Sequence, residues 1–371
     1  MNMKILFVAS VYRHLTAFHL PYLNYFQSQG YEVWAAGTGR EDKETLEKLN
    51  IKCVDIPFSR SPFSARNIES FKALKALFTT EKFDLVHVHT PVAALLTRIA
   101  FKNSQHGKIV YTAHGFHFFK GAPKKNWLIY FTAEKIAARW TDHLITINTE
   151  DYENAQKLLP TAKISNVHGV GVEIATESLT EMEKLHFKQE LGLQDDSVVI
   201  SYVAELNANK NHHFLLRNWE EIKRSNPAFQ LLIIGTGEKE TELKEYVVKK
   251  KLTGIHFVGY RRDVPKLLQI TDIVTLLSHR EGLPKSIMEA MTAGIPCVVT
   301  NTRGLRDLIK STENGFVINH EDDKELVIAF HELKQKQLRV EMGHRAKQLV
   351  EPFLLDSVLE EYKKVYQELL K

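Results

Sequence analysis

The stretch Asp272-Ile-Val-Thr-Leu-Leu-Ser278, followed after His279 by Arg280-Glu-Gly-Leu-Pro-Lys-Ser-Ile-Met-Glu-Ala-Met-Thr-Ala-Gly-Ile-Pro296, sets the pattern for the whole chain. Its first part is a short apolar run, which is typical of a buried strand. Gly282 breaks the run, and Pro284 stands at the first position of an expected helix. The small and apolar side chains beyond it would form one helix face. The stretch therefore predicts a strand, a turn and a helix, the unit of α/β proteins.

The turn and the helix carry two carboxylates, Glu281 and Glu289. Glu281 would lie on the turn, and Glu289 on the second turn of the helix. Both would stand beside the free N–H groups and the positive end of the helix dipole, where a phosphate binds. Sugar hydroxyls could then donate hydrogen bonds to the carboxylates. Their spacing alone fits two ordinary surface glutamates equally well, but the Gly-Leu-Pro turn after a strand favours a ligand site.

Short apolar runs alternate with helical patterns from end to end, which predicts further α/β units. Most runs are continuous, as in parallel strands that are covered on both faces. The predicted strands of the first half are Lys4–Ala9, Tyr31–Ala36, Cys53–Phe58, Asp84–Thr90, Lys108–His114, His143–Asn148 and Ile164–His168. Those of the second half are Val198–Ala204, Phe229–Ile234, Ile255–Tyr260, Asp272–Ser278, Pro296–Thr300 and Gly315–Ile318. A polar stretch, Glu173–Glu183, is predicted to link the two series.

A length of 371 residues suits two domains rather than one. We predict two doubly wound Rossmann-like domains with parallel sheets, over residues 1–172 and 173–353, and an amphipathic helix over residues 354–371. Ligands of open α/β sheets bind at the carboxyl ends of the strands. The site is therefore expected in a central cleft where the two sheets face each other.

Composition excludes several other classes of protein. Apolar residues make up 44% of the chain and charged residues 25%, which is ordinary for a globular protein. The two cysteines, Cys53 and Cys297, are expected as free thiols, and no metal-site spacing occurs. No signal-peptide pattern and no apolar stretch of about 20 residues occurs, so a cytoplasmic protein is predicted. The loop after the first strand lacks the glycines of a nicotinamide dinucleotide site, and no nucleic-acid-binding module is recognisable.

The segment His117–Trp140 is basic and aromatic. It holds Lys120, Lys124, Lys125, Lys135 and Arg139 against one acid, Glu134, and seven aromatic side chains lie in or next to it. Such a segment suits an anionic membrane surface, which would make the protein peripheral on the inner face of the cell membrane. A partly buried helix with a solvated charged face fits the same sequence equally well.

Several further stretches, taken with Glu281 and Glu289, resemble one family. They are Val203-Ala-Glu-Leu-Asn-Ala-Asn-Lys-Asn211, Leu232-Ile-Ile-Gly-Thr-Gly237, Gly259-Tyr-Arg-Arg-Asp-Val-Pro265, Tyr111-Thr-Ala-His-Gly-Phe-His-Phe-Phe-Lys-Gly121 and Asn166-Val-His-Gly-Val-Gly-Val172. Taken in chain order, these stretches resemble the family 4 retaining glycosyltransferases of GT-B fold. The stretches Tyr111–Gly121 and Asn166–Val172 are similar to the bacterial exopolysaccharide and capsule branch. The resemblance covers nearly the whole chain. It implies a UDP-sugar donor, a lipid-linked saccharide acceptor and a terminal helix that crosses back onto the first domain.

The resemblance also implies roles for individual residues. The implied catalytic residues are His114, Lys210 and Glu281, with His114 and Glu281 at the transferred sugar and Lys210 at the diphosphate. The implied donor-binding residues are Gly235, Gly237, Tyr260, Arg261, Gly282, Leu283, Pro284, Lys285, Ser286 and Glu289, of which Glu289 would hold the ribose. The implied acceptor-binding residues are Arg13, His14, Phe116 and His117. No Asp-x-Asp motif occurs, so we expect no metal or other cofactor, and neutralisation of the diphosphate by basic side chains and helix N-termini.

One departure keeps other functions open. The family commonly carries an arginine where this chain has Glu205, so Arg261 or Lys285 would have to supply that charge, or Lys210 would act alone. The expected function is transfer of a hexose or N-acetylhexosamine from a UDP-sugar to a lipid-linked oligosaccharide during exopolysaccharide or capsule assembly, with retention of configuration. The alternatives are a UDP-sugar epimerase of similar fold and a catalytically weak scaffold subunit of a polysaccharide assembly complex.

Overall fold

The computed structural model describes residues 3–59, 61–104, 106–160, 163–176 and 178–371. The chain divides into two compact units. One unit is Met1–Val170 together with Asp356–Lys371, and the other is Gly171–Leu355.

The first unit is built, within the described residues, on a parallel sheet of seven strands. The strands are β1 (Lys4–Val8), β2 (Glu32–Gly37), β3 (Lys52–Asp55), β4 (Leu85–Val88), β5 (Lys108–Ala113), β6 (His143–Thr146) and β7 (Lys163–Asn166). The helices are α1 (Tyr12–Phe18), α2 (Leu20–Ser28), α3 (Arg40–Lys48), α4 (Arg66–Thr80), α5 (Pro91–Phe101), α6 (Lys124–Asn126), α7 (Thr132–Ala137) and α8 (Thr149–Leu158). The spatial order β3-β2-β1-β4-β5-β6-β7 reverses between β1 and β4.

Strand β1 explains why the sequence shows continuous apolar runs. Ile5, Leu6, Phe7 and Val8 are all fully buried. Leu6 and Val8 belong to one apolar cluster, whereas Ile5 and Phe7 belong to another. Successive side chains of a strand point to opposite faces of the sheet. The sheet is therefore covered on both faces, as expected for parallel strands.

The second unit contains, in the part of the chain that is described, a parallel sheet of six strands. The strands are β8 (Val198–Val203), β9 (Phe229–Ile234), β10 (Ile255–Gly259), β11 (Ile273–Leu276), β12 (Cys297–Thr300) and β13 (Gly315–Ile318). The helices are α9 (Glu181–Glu190), α10 (His212–Ser225), α11 (Glu240–Lys249), α12 (Val264–Leu268), α13 (Lys285–Ala293), α14 (Leu305–Leu308), α15 (Asp323–Glu332) and α16 (Lys336–Leu349). The order β10-β9-β8-β11-β12-β13 reverses between β8 and β11.

The last helix, α17 (Leu355–Leu369), packs with the first unit. Val358, Tyr362, Val365 and Tyr366 are buried in the same apolar cluster as Phe7. The Tyr366 hydroxyl lies 2.9 Å from Nδ1 of the buried His87, which lies in β4, the neighbour of β1 in the sheet. The terminal helix thus completes the core on one face of the first sheet.

The predicted fold of two doubly wound parallel sheets is confirmed. The strand ends differ from the predicted ends by three residues at most. Three local predictions were wrong. Helix α13 begins at Lys285 because Pro284 keeps an extended backbone, with ψ of 121°. The predicted linker overlaps α9, which starts at Glu181 after a capping box formed by Thr180 and Glu183. The helical pattern of Asn126–Arg139 predicts one continuous helix, but a π-helical turn at Trp127–Phe131 interrupts it.

Candidate functional site

Lys210 and Glu281 meet at the point where the strand order of the second sheet reverses. Lys210 ends a short 3₁₀ turn after β8, and Glu281 follows β11, the strand that pairs with β8. Lys210 Nζ lies 2.6 Å from Glu281 Oε1, and the two side chains are 21% and 9% exposed. Such reversal points are where open α/β sheets bind their ligands. Two residues that the sequence assigned to one site therefore form an ion pair at the expected edge of the sheet.

Hydrogen bonds hold the two loops of this ion pair together. The backbone N–H of His279 donates to the carbonyl of Asn209 at 2.9 Å, and the Asn209 side-chain amide donates to the carbonyl of Arg280 at 2.9 Å. The hydroxyl of the buried Tyr202 donates to the carbonyl of Lys210 and accepts from the N–H of Leu277 at 2.8 Å. These bonds fix the backbone on both sides of the pair, so its two charges are positioned before any ligand arrives.

Two helix N-termini adjoin the ion pair along the chain. Helix α10 starts at His212, directly after Asn211, whose φ of 51° lies in the left-handed region. Helix α13 starts at Lys285, four residues after Glu281. Neither start has a hydrogen bond from the side chain of its capping residue. The first N–H groups of a helix and its dipole favour a bound anion. The arrangement offers positive charge and amide donors at one edge of the sheet.

Glu289 lies on α13 beside Lys285, with 3.6 Å between Nζ and Oε1. Burial raises the pKa of the Glu289 carboxyl, and the nearby Lys285 ammonium opposes part of that rise. The neighbouring residues Gly282, Leu283, Pro284 and Ser286, which the sequence predicted as donor contacts, are half-buried or buried along the same turn. The predicted donor segment therefore forms one continuous turn and helix start around Glu281.

The two glycines of Gly235-x-Gly237 are required by the protein's own backbone. A Cβ atom on Gly235 would lie 2.0 Å from the Ala204 carbonyl oxygen, and one on Gly237 would lie 2.4 Å from the Leu206 carbonyl oxygen. The loop after β9 thus packs directly on the loop after β8. This close approach accounts for both glycines without a nucleotide, although their loop supports the turn that carries Lys210.

The side chains around the position where the family commonly carries an arginine, Glu205 in this chain, make contacts of their own. Arg261 makes a bidentate pair with Asp263, through Nε to Oδ1 at 2.7 Å and Nη2 to Oδ2 at 2.5 Å. Glu205 is exposed and accepts from the Asn207 amide at 3.0 Å. Tyr260, before Arg261, is 57% exposed at the end of β10.

Sequence reasoning missed Arg303, which follows β12. Its side chain is buried, and its Nε donates to the Glu281 carbonyl oxygen at 3.2 Å. A Cβ atom on Gly304 would lie 1.8 Å from the Gly282 carbonyl oxygen, so this loop packs tightly against the Glu281 turn. The signal in the sequence was an Arg-Gly pair just after a predicted strand. Arg303 adds a second basic side chain beside the Lys210–Glu281 pair.

In the first unit, His114 belongs to a cluster of four histidines at the point where that sheet reverses its order. One ring nitrogen from each of His14, His19, His89 and His114 lies within 4.8 Å of the other three. His14 lies on α1, His19 precedes α2, and His89 and His114 follow β4 and β5. The sequence singled out His14 and His114 but missed the other two, whose signals were the pairs Phe-His19 and His87-x-His89. No metal was predicted here because four separate segments supply the histidines.

Burial keeps these imidazoles neutral. It lowers the pKa of His14 to about 4. It also holds the pKa values of His19, His89 and His114 well below the ordinary 6.5, and the neighbouring imidazoles lower them further. Each ring therefore carries one N–H and one lone pair at neutral pH.

The other predicted acceptor contacts lie in different surroundings. Arg13 is exposed on α1, and His117 is half-buried and stacks on Tyr130 with 4.4 Å between ring centroids. Phe116 is buried and stacks on Phe118 at 4.6 Å, so its ring is a core side chain with no surface for an acceptor. The acceptor role of Phe116 stays a prediction, and in this structure its ring packs in the core after β5.

The single acidic side chain of the basic segment His117–Trp140 is buried. Glu134 is buried, pairs with the buried Arg98 at 2.8 Å and accepts from the Tyr111 hydroxyl at 3.1 Å. From Lys124 to Arg139 the exposed residues recur every three or four positions, and they are Lys124, Lys125, Leu128, Thr132, Lys135, Ile136 and Arg139. Such spacing on helical turns gives one face. That face carries basic side chains and two apolar ones, with Leu128 75% exposed.

Comparisons with known proteins agree over both units. The family profile "Glycosyl transferase 4-like" matches residues 4–148, and "Glycosyl transferases group 1" matches residues 183–349. The chain is 36% identical over 372 residues to the "Putative glycosyltransferase EpsD" of Bacillus subtilis (strain 168), covering 99% of this chain and 97% of EpsD. It is 33% identical over 280 residues, 70% of each chain, to the UDP-Gal:alpha-D-GlcNAc-diphosphoundecaprenol alpha-1,3-galactosyltransferase of Escherichia coli.

A solved structure shares the fold. Anabaena Alr3699/HepE in complex with UDP and glucose matches with a TM-score of 0.81 and 19% sequence identity, covering 99% of this chain and 100% of that chain. At this identity the likeness concerns the fold alone, and it agrees with the two Rossmann-like units described above.

Proposed function

Since the chain belongs to the group 1 glycosyl transferases, in the family 4 branch with GT-B fold that serves bacterial polysaccharide synthesis, we propose that it transfers a hexose or N-acetylhexosamine from a UDP-sugar to a lipid-linked saccharide. The observation that carries this proposal is the Lys210–Glu281 pair between the N-termini of α10 and α13. A nucleotide sugar has an anionic diphosphate next to neutral hydroxyls, and this pair offers a cation next to a carboxylate.

Donor binding then exchanges one partner for another. Without donor, the Lys210 ammonium is neutralised by the Glu281 carboxylate. The incoming diphosphate takes over the ammonium and the helix N–H groups, because its two negative charges, one on each phosphate, compete well for both. Glu281 is released to accept hydrogen bonds from hydroxyls of the donor sugar. Glu289, on α13, accepts hydrogen bonds from the ribose hydroxyls.

We propose that no metal ion assists the departure of the diphosphate. Lys210 and the two helix N-termini supply the positive charge, and Arg303 adds to it from the loop after β12. This arrangement stabilises negative charge where it develops during the reaction. Arg261 is left out of this role, because its guanidinium is already paired with Asp263.

We propose transfer with retention of configuration. The bond between the anomeric carbon and the phosphate oxygen breaks, while the acceptor oxygen forms its bond to that carbon on the same face. The acceptor proton passes to the departing phosphate oxygen, so no enzyme nucleophile is needed. His114 is the proposed contact to the transferred sugar or the departing phosphate, and Arg13, His14 and His117 are the proposed acceptor contacts.

A membrane surface would bring the lipid-linked acceptor to the enzyme. No helix among the described residues is long and apolar enough to cross a bilayer. The exposed face from Lys124 to Arg139 combines basic side chains with Leu128 and Ile136. Glu134, the one acid of this segment, is buried in an ion pair with Arg98 and does not lie on the face. Basic residues near an anionic surface contribute about 1 kcal/mol each. We propose that this face binds anionic lipid headgroups reversibly.

A panel of UDP-sugars tests the reaction. The productive donor should raise the melting temperature and be hydrolysed slowly to UDP and free sugar when no acceptor is present. NMR of the anomeric proton in the transfer product then reports retention. Glu281→Gln should abolish turnover in a folded protein, while the matched control Glu205→Gln, on the loop after β8, should not. Turnover to an epimeric sugar would instead support an epimerase, and absence of turnover with every donor would support a scaffold.

A further inference from the structure

The four clustered histidines of the first unit are in direct contact through their ring nitrogens. His14 Nε2 lies 3.3 Å from His114 Nε2 and 3.4 Å from His19 Nε2. His89 Nδ1 lies 3.2 Å from His114 Nε2. His19 and His89 are completely buried, and the other two are half-buried. The four nitrogen atoms thus form a chain of contacts and all lie within 4.8 Å of one another.

Hydrogen bonding cannot account for this arrangement. A ring nitrogen of a neutral imidazole carries either one N–H or one lone pair, and so makes one good hydrogen bond. His14 Nε2 and His114 Nε2 each have two of the four nitrogens as neighbours. The three contacts can therefore supply two hydrogen bonds at most.

A four-coordinate metal ion fits the same geometry. Zinc–imidazole bonds of about 2.0–2.1 Å arranged as a tetrahedron place neighbouring nitrogens about 3.3–3.4 Å apart. Three of the six nitrogen–nitrogen separations, at 3.2 to 3.4 Å, match that value, and all four ligand atoms lie within 4.8 Å of one another. Neutral imidazoles are ready to give their lone pairs without losing a proton. Imidazole suits zinc and its first-row neighbours, whereas magnesium and calcium take oxygen ligands.

We propose that His14, His19, His89 and His114 bind one divalent transition-metal ion of the zinc class. The ligand atoms are Nε2 of His14, His19 and His114, and Nδ1 of His89. With all four positions filled by protein, the site is structural. The ion ties α1 and the start of α2 to the ends of β4 and β5, and so fixes the loop that carries Arg13. It uses only Nε2 of His114, so a donor contact by this residue would fall to Nδ1.

The proposed ion shares His114 with the proposed donor site but does not touch Lys210 or Glu281. The test therefore measures metal binding and stability rather than transfer. The whole chain is freed of metal by a strong chelator, then titrated with Zn²⁺ against a chromogenic competitor and, separately, with Co²⁺. We expect one tight equivalent per chain, the visible absorption of four-coordinate Co²⁺, and a higher melting temperature with Zn²⁺.

Variants locate the ion. His19→Gln and His89→Asn place an amide near the former ligand atom and should lose both the tight equivalent and the Zn²⁺-dependent rise in melting temperature. His186→Gln is the matched control, because His186 is exposed on α9 and pairs with Glu190 at 3.1 Å. It should behave as wild type. Absence of a tight equivalent in the wild type, or its survival in His19→Gln/His89→Asn, would overturn the proposal.

X-ray absorption at the zinc edge of the wild type gives a second measurement that does not depend on whether a variant folds. Four nitrogen ligands at about 2.0 Å are expected. A shell dominated by oxygen at longer distances would show an adventitious ion on the surface and would also overturn the proposal.

Discussion

Removing Lys210 and neutralising Glu281 should change UDP affinity in opposite directions. Lys210→Ala removes the cation that meets the diphosphate and leaves the Glu281 carboxylate, only 9% exposed, close to the phosphates without its partner. Glu281→Gln has the reverse effect, because it frees the Lys210 ammonium from its 2.6 Å contact for the diphosphate. UDP should therefore bind Lys210→Ala weakly and Glu281→Gln at least as tightly as wild type.

The magnitude follows from one charge-assisted contact at a half-buried position. Such a contact is worth about 1.5–3 kcal/mol. At about 1.4 kcal/mol for each tenfold change, UDP should bind Lys210→Ala roughly 10- to 150-fold more weakly. The double variant Lys210→Ala/Glu281→Gln no longer sets a carboxylate against the phosphates. It should therefore recover part of the lost UDP affinity, although transfer stays abolished because no carboxylate accepts from the sugar hydroxyls.

Isothermal titration of UDP into the four proteins completes this cycle. The control is Lys244→Ala, which removes another paired lysine of the second unit, with Nζ 2.7 Å from Glu240. Its UDP affinity should equal that of wild type. Equal UDP affinity in Lys210→Ala and wild type would refute the role of Lys210. A loss of UDP affinity in Glu281→Gln as large as in Lys210→Ala would refute the exchange of partners.

Three further results are expected. Brief EDTA treatment should leave the rate of transfer unchanged. A loss of activity that magnesium or manganese restores would show a metal ion bound at the diphosphate. A loss of activity that only zinc restores would point to the proposed site of the four histidines. The wild-type protein should float with anionic vesicles in low salt, and a variant with three lysines changed to Glu should not. A control variant with Lys249–Lys251 changed to Glu should still float. Equal flotation of the wild type with neutral vesicles would contradict the membrane proposal. The three lysines changed in the test variant are Lys120, Lys124 and Lys125. Burial lowers the pKa of His143 to about 4 and that of His212 to about 3. Below pH 6.5, the ordinary pKa of histidine, the unfolded chain therefore binds more protons than the folded chain. The urea midpoint of unfolding should fall as the pH is lowered from 6.5 towards 4. His212→Phe, which keeps a ring against Tyr202, should weaken this pH dependence, and an unchanged slope would contradict it.

The fold was readable from the sequence because it depends on local patterns. Strands buried on both faces show as continuous apolar runs, as in Ile5–Val8, and the helices between them repeat at helical spacing. The pairing of Lys210 with Glu281 was accessible for a related reason. Both residues follow predicted strands, and the reversal of strand order brings the ends of those two strands together.

The remaining features depend on contacts between distant segments, which no local pattern reveals. The histidine cluster joins residues up to 100 positions apart. Arg303 reaches the Glu281 carbonyl from the next strand of the sheet. The inward turn of Glu134 depends on Arg98, which lies 36 positions earlier. For Gly235, the sequence suggested close approach of a nucleotide. The carbonyl of Ala204 already leaves no room for a side chain at this position.

The packing of α17 has a consequence for how the protein is made. Tyr366 and His87 are 279 positions apart, yet they touch in the core of the first unit. At about 5–20 residues per second, a ribosome needs on the order of 15–60 s to add that much chain. During this time β1 and its neighbours lack the side chains that close one face of their core. The half of the protein that is synthesised first is therefore finished last, and a chaperone that shields nascent apolar surface would find its target there rather than in the second unit.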